Sequence, residues 1–401
     1  MKRATLALGL AATLAASPVL AQQTPPVPGW QQGRPDSMAA SPLAPHAPRL
    51  TVTPPDQVPV AALRVPQGFQ IELWAHGMPG ARAMTEGEDG TVFVGTRAIG
   101  RVYAVTEAGG QRSTRTIAER LTEPNGLAVR DGNLYVIAIN RVLRYDGIGR
   151  RMGDVPQPTD LTSAFNLPTD AHHGWKFAAF GPDGRLYLNI GVPCNICEFN
   201  RDTHALIVSF NPDGSDRRIE ARGIRNSVGF DFHPTTRELW ATNNGRDWAG
   251  NDIPEDSLHR IRRSGEDHGF PFCVGNWNDP AAGRRNCSEF TAPAALLGPH
   301  TASLGIRFYT GTQFPAAYRG AAFIAQRGSW NREQLSGYQV VVARLDAQGN
   351  VTGVEPFLTG FRDEANNRFL GRPVYVLPRA DGSLLVADEQ NGAIYRITHR
   401  Q

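Results

Sequence analysis

From residue 84 to the end of the chain, short apolar runs alternate with tight polar turns. The unit is an apolar strand, a turn carrying Asp-Gly or a near equivalent, a second strand, a gap and a third strand ending in an aromatic residue or arginine. The first copy runs through 84–95 with Asp89-Gly90 at its turn and closes at 100–105; the second is 125–136 with Asp131-Gly132, closing at 142–145. A third holds Asp183-Gly184 and the apolar run 205–210. The fourth comprises 228–234 and 238–243, closing near 258–261. A fifth, degenerate copy spans 305–309 to 340–345, and the last contains 373–377, Asp381-Gly382, 384–388 and 393–397. Segments such as 384–387 read as half-buried strands, and Asp-Gly is a hairpin signal. Six copies of such a unit predict an all-β, six-bladed β-propeller. Its last blade needs its open edge paired, and the early strand-like segment 68–75 is placed to do so.

Composition sharpens this without redirecting it. The chain has 401 residues, 42 of them Gly and 30 Pro, which favours turns over long helices. Lys2 and Arg3, the apolar run 4–16 and Val19-Leu20-Ala21 before Gln22 match a cleavable secretory signal over 1–21. The mature chain is therefore expected in the periplasm or outside the cell. Residues 22–57 are rich in Pro, Gln, Ser and Ala without periodicity, and read as a flexible tether ahead of a single propeller domain over 58–401. A net charge of +3 with no long basic run gives no footing for nucleic acid, and no later apolar run is long enough for a membrane helix.

Four cysteines, Cys194, Cys197, Cys273 and Cys287, form an even set in a chain expected to be exported, so two disulfides are the default reading. Proximity favours 194–197 and 273–287. Cys194-x-x-Cys197 also suggests a zinc knuckle or a haem attachment site, but Glu198 stands where haem attachment requires His, and there is no second such pair.

The chemistry-bearing residues cluster around 171–187. This stretch carries adjacent His172 and His173, and Lys176, the one lysine besides Lys2, ahead of Gly181-Pro182-Asp183-Gly184. Taken with Gly223-Ile224-Arg225-Asn226-Ser227-Val228-Gly229, Asn244-Gly245-Arg246-Asp247, Glu255-Asp256, 265–271 and Gly371-Arg372-Pro373-Val374, it resembles the soluble PQQ-dependent sugar dehydrogenases. Within them it is most similar to the L-sorbosone dehydrogenase branch, whose Cys-Asn-x-Cys-Glu element is matched by 194–198. The resemblance covers about 65–398.

It implies pyrroloquinoline quinone (PQQ) over the channel mouth with a calcium ion, oxidation of an aldose or sugar aldehyde by hydride transfer, and an external electron acceptor. His173, eight residues before Gly181, matches the family's general base, and His172 neighbours it. Arg225, Asn226 and Arg372 match cofactor-contacting positions. Lys176 and Arg327 join them on loop position and charge, since a ligand rich in carboxylates and quinone oxygens calls for cationic donors. Gly245 and Arg246 match backbone-carbonyl donors to calcium, although the family's glucose dehydrogenases tend to carry Pro where Arg246 stands. Glu255 and Asp256 are candidates for a second calcium.

Two other function classes compete. Glu123-Pro124-Asn125-Gly126-Leu127 fits a calcium-dependent propeller lactonase of the gluconolactonase type, which holds its metal through acidic and Asn side chains. A non-catalytic propeller that binds a periplasmic partner or glycan is the other.

Overall fold

The protein is described from a computed structural model that covers residue 50 and residues 52–400. The secretory signal and most of the Pro-rich segment lie outside the described residues. The rest is a six-bladed β-propeller, each blade a four-stranded antiparallel sheet. The innermost strands are Met84–Glu86, Gly126–Arg130, Ala178–Phe180, Phe230–Phe232, Ser303–Phe308 and Pro373–Pro378. Five of them overlap the repeat copies read from the sequence, and Ala178–Phe180 leads straight into the Asp183-Gly184 turn of the third. Among the described residues no helix is long and apolar enough to cross a membrane.

Second strands such as Val92–Val94, Leu186–Ile190 and Leu384–Asp388 are buried at every position. The expectation of half-buried strands is corrected here: neighbouring blades cover both faces of each sheet, so these strands carry continuous apolar runs. Outer strands are the opposite. Gln111–Ala118 and Val351–Leu358 are mostly exposed, the first of them also polar, and each pairs only along its inner edge.

The ring closes as expected. Phe69–Ala75 pairs antiparallel with Ala393–His399 and becomes the outer strand of the last blade. Phe69 holds this seam through edge-to-face contacts with Phe314, Tyr318 and Phe357 at 4.8, 5.2 and 5.1 Å. The described end of the Pro-rich segment is docked as well. Thr53 Oγ1 donates to Asn391 Oδ1 (2.9 Å), and Val58 and Leu63 are buried.

Both disulfides form as proximity suggested, Cys194 with Cys197 and Cys273 with Cys287, which removes those thiols from zinc or haem chemistry. The second staples a long insert in blade four, between Glu255–Ile261 and the outer strand Ala295–Pro299. On its way the insert adds Glu266–Asp267 in parallel to the outer strand of blade three.

Candidate active site

In every blade, the loop entering the innermost strand and the loop after the second strand open on the same end of the channel. There they line a cavity of about 390 Å³ whose wall includes Arg82, Arg97, His172, His173, Arg225, Asn226, Gly245, Asp247, Asp256, His300, Arg327 and Trp330. At the level just below, Phe177 packs on Phe230 and Tyr375 at 4.8 and 5.5 Å.

His173 enters from the loop before the innermost strand of blade three, in a left-handed backbone conformation (φ 51°). Two glycines make its placement possible. A Cβ on Gly174 would lie 1.8 Å from the Asp170 carbonyl oxygen, and one on Gly191 would lie 2.6 Å from the Cβ of His173. The buried His173 Nδ1 donates to the carbonyl oxygen of Val192 at 3.1 Å. A carbonyl only accepts, so the proton sits on Nδ1 and Nε2 keeps its lone pair. Burial, then the neighbouring His172 and Arg225, push this imidazole well below its ordinary 6.5. The His172 ring lies 3.9 Å away and is lowered to about 4, chiefly by burial. Its buried Nε2 has no partner, and neither does the Asn226 Oδ1.

Arg225 is fully buried and almost fully hydrogen-bonded. Its Nε donates to the Asn195 carbonyl (3.0 Å), Nη2 to Asn195 Oδ1 (2.8 Å) and Nη1 to the Gly245 carbonyl (2.9 Å). The Gly245 N–H donates to Asp256 Oδ1, whose other oxygen accepts from Thr301 Oγ1 and Ser303 N.

Across the mouth stands a cationic wall from blades five, six and one. Arg82 and Arg327 both pair with the buried Glu389, and Arg82 Nε donates to Asn125 Oδ1 (3.2 Å). Arg372 lies behind Arg327, its guanidinium 4.4 Å from the Phe369 ring centroid and its buried Nε without a partner. Burial lowers Arg82 and Arg372 to about 10 each. Arg97 stacks on Trp175 at 3.6 Å and pairs with Glu123 at 3.0 Å.

The structure thus gathers His172, His173, Arg225, Asn226, Arg327, Gly245 and Asp256 around one cavity, with Arg372 a step behind. Two sequence expectations are not met. Lys176 is buried away from the cavity, where its Nζ donates to the carbonyls of Gly174 and Pro168; it braces the histidine loop. The Arg246 side chain points outward to Asp279 through bonds of 2.6 and 3.2 Å and ties the calcium-type loop to the insert, which has no bearing on the expectation for its backbone carbonyl. Glu255 and Asp256, consecutive in a strand, face opposite ways. Glu255 accepts from Gly298 N while Asp256 turns inward, so the two do not share one ion.

Arg82, Arg97 and Glu389 escaped notice in the sequence. The repeat itself held the signal. Gly80-Ala81-Arg82 sits before its innermost strand as Gly223-Ile224-Arg225 and Gly371-Arg372 do, and Arg97 follows its second strand as Arg327 does.

A sequence model of the glucose / sorbosone dehydrogenase family matches residues 161–396, more than half of the chain. A protein of uncharacterised function from Borreliella burgdorferi is 31% identical over 355 residues, covering 85% of this chain and 92% of its own. Among solved structures, the holo PQQ domain of pyranose dehydrogenase from Coprinopsis cinerea aligns with TM-score 0.70 at 20% identity, covering 88% of this chain and 98% of its own. The calcium structure of a Trichoderma reesei enzyme of carbohydrate-active family AA12 aligns with TM-score 0.73 at 19% identity, covering 88% and 100%. At these identities the two structures speak to the fold.

Proposed function

This chain belongs to the glucose / sorbosone dehydrogenase family and is a sugar dehydrogenase, and on that premise we propose that it oxidises an aldose or sugar aldehyde such as L-sorbosone with PQQ, using His173 as general base. The observation that carries the reading is the neutral imidazole of His173, with Nδ1 committed to Val192 and Nε2 left basic in a cavity-lining ring. Such a nitrogen can take the proton of a substrate hydroxyl within hydrogen-bond reach. His172 keeps that imidazole neutral from the side, because two imidazoles with centroids 3.9 Å apart resist being cationic together.

The residues fit PQQ. Arg82, Arg97 and Arg327 form a wall suited to carboxylates, and the unpartnered Asn226 Oδ1, His172 Nε2 and Arg372 Nε are buried polar atoms of the kind a polar ligand would satisfy. The cavity volume lies within the range of small-molecule sites. When bound, the quinone supplies the two-electron acceptor that the side chains lack. Calcium would be held by hard oxygens: the Gly245 carbonyl has a lone pair beyond the one Arg225 uses, and the Asp247 and Asp256 carboxylates line the same wall. The related fungal structures, described as a PQQ domain and a calcium structure, support both assignments. An external acceptor would take up the two electrons that leave the substrate, so that turnover can repeat. The N-terminal apolar segment and the two disulfides support export to the periplasm or beyond.

The lactonase reading loses its motif. Glu123 is paired with Arg97, and Asn125 accepts from Arg82 while donating to the Lys176 carbonyl at 2.9 Å. Among the described residues no three His, Cys, Asp or Glu side chains converge on a metal position. The test is dye reduction by chelator-stripped protein supplied with PQQ and calcium, across L-sorbosone, glucose and other aldoses, with lactone opening assayed in parallel. Aldose-dependent reduction that needs PQQ is expected. Lactone opening without quinone would overturn the reading.

A further inference from the structure

The first disulfide-bonded motif of the sequence, Cys194-Asn195-Ile196-Cys197, does no chemistry of its own in the reading above. Its position is nevertheless specific. The segment 191–199 has neither strand nor helix, so backbone pairing does not fix it, and the short disulfide loop supplies that constraint. Asn195 is completely buried and turns its polar atoms on two neighbours. Its carbonyl and Oδ1 accept from Arg225 Nε and Nη2 at 3.0 and 2.8 Å. The same Oδ1 accepts from Asp247 N at 2.8 Å, and Nδ2 donates to the Asp247 carbonyl at 3.1 Å. Three residues earlier, Val192 N donates to the Arg225 carbonyl (3.0 Å), and the Val192 carbonyl accepts from His173.

The four residues from Val192 to Asn195 therefore hold the histidine from blade three, the arginine from the entrance to blade four and the loop 244–247 after its second strand. Arg225 needs this. A fully buried guanidinium is costly unless its donors are matched, and Asn195 takes two of its three donor nitrogens. With Asn195 in place, the third nitrogen is directed to the Gly245 carbonyl at the cavity wall.

We propose that Asn195, held by the Cys194–Cys197 disulfide, is the positioning residue that presents Arg225 and the 244–247 loop to the cofactor cavity. The proposal rests on the PQQ reading for what the cavity holds, and on the hydrogen-bond geometry alone for what Asn195 does. Truncating it takes away the acceptor of Arg225 Nη2 and both side-chain bonds to the Asp247 backbone.

The test uses the full mature chain. PQQ binding to Asn195→Ala is measured by calorimetric titration, alongside Asn195→Asp and the double variant Cys194→Ser/Cys197→Ser. Loss of hydrogen bonds to a charged group predicts binding weakened by about tenfold or more in Asn195→Ala and in the double variant. Asn195→Asp keeps the acceptor for Arg225 and is expected to recover most of the affinity. The second readout, which needs no cofactor, is hydrogen exchange at the backbone N–H of Asp247, which donates to Asn195 Oδ1. It is protected in the wild type and loses protection in Asn195→Ala and the double variant. Wild-type affinity in a folded Asn195→Ala, or an Asp247 N–H equally protected in all variants, overturns the proposal. If the wild type binds no PQQ, the cofactor reading falls and the exchange measurement alone decides this one. Should Asn195→Ala not fold, the disulfide variant carries both readouts.

Discussion

The two halves of the channel mouth are built on different principles. On the side of blades three and four, His172, His173 and Asn226 are neutral, and the one cation, Arg225, spends its donors on Asn195 and Gly245. On the side of blades five, six and one, Arg327, Arg372, Arg82 and Arg97 crowd around the single buried carboxylate of Glu389. In the proposed function the first half moves a proton, because a neutral imidazole is a base and a protonated one is not. The second half is proposed to hold an anion. A propeller can separate the tasks this way because each blade contributes its own loops to the shared mouth, so charge on one side does not require charge on the other.

The comparison breaks most severely at Glu389. On its own, burial would raise this carboxyl, but Arg327, Arg82, Arg372 and Arg97 outweigh it and hold the group far below its ordinary 4.5. A depressed folded pKa stabilises above the unfolded value and is lost as pH falls toward the folded one. Glu389→Gln is therefore expected to cost about 3–5 kcal/mol at neutral pH, as for other broken buried pairs, with the deficit shrinking in acid. Urea denaturation at pH 7 and pH 3 measures both. A neutral-pH loss no larger than a surface substitution gives would mean that the arginines do not need their counter-ion.

On the other half, the expected effect is on a pH profile. With His173 held well below its ordinary 6.5 by burial and by its cationic and imidazole neighbours, the acid limb of kcat/KM is expected well below pH 6.5. An acid limb at or above that value would place the base elsewhere.

Away from the mouth, Phe69→Ala removes the edge-to-face contacts that seal the ring and should lower stability by about 2 kcal/mol, less than for a fully buried phenylalanine. Differential scanning calorimetry checks it. An unchanged Tm would show that strand pairing alone closes the propeller. The mildest prediction concerns Lys176, which burial lowers from 10.5 to about 8. The unfolded chain then binds the extra proton between those values, so this residue contributes stability that rises from about pH 8 to about 10.5. Lys176→Met should flatten that rise in a series of thermal melts.

The inner strands were legible because burial on both faces forces continuous apolar runs, as in Leu384–Asp388. Outer strands were not, since Gln111–Ala118 is polar and exposed and Thr159–Asp160 is two residues long. At the site, motif order located His173, Arg225 and Asn226. It misled at Lys176, where charge suggested a ligand contact but the chain carbonyls of Pro168 and Gly174 take the ammonium. Glu255 failed for a simpler reason: strand alternation turns it away from Asp256. Arg82 and Glu389 lie some 300 residues apart in sequence and meet only when the ring closes.

The most direct test of a divided mouth is His173→Ala in protein loaded with PQQ and calcium, with cofactor affinity and kcat measured on the same preparation. The account predicts near wild-type affinity, because the anion-holding wall is intact, and a fall in kcat of about 10²–10⁴ from loss of the base. Turnover close to wild type in that variant would contradict it.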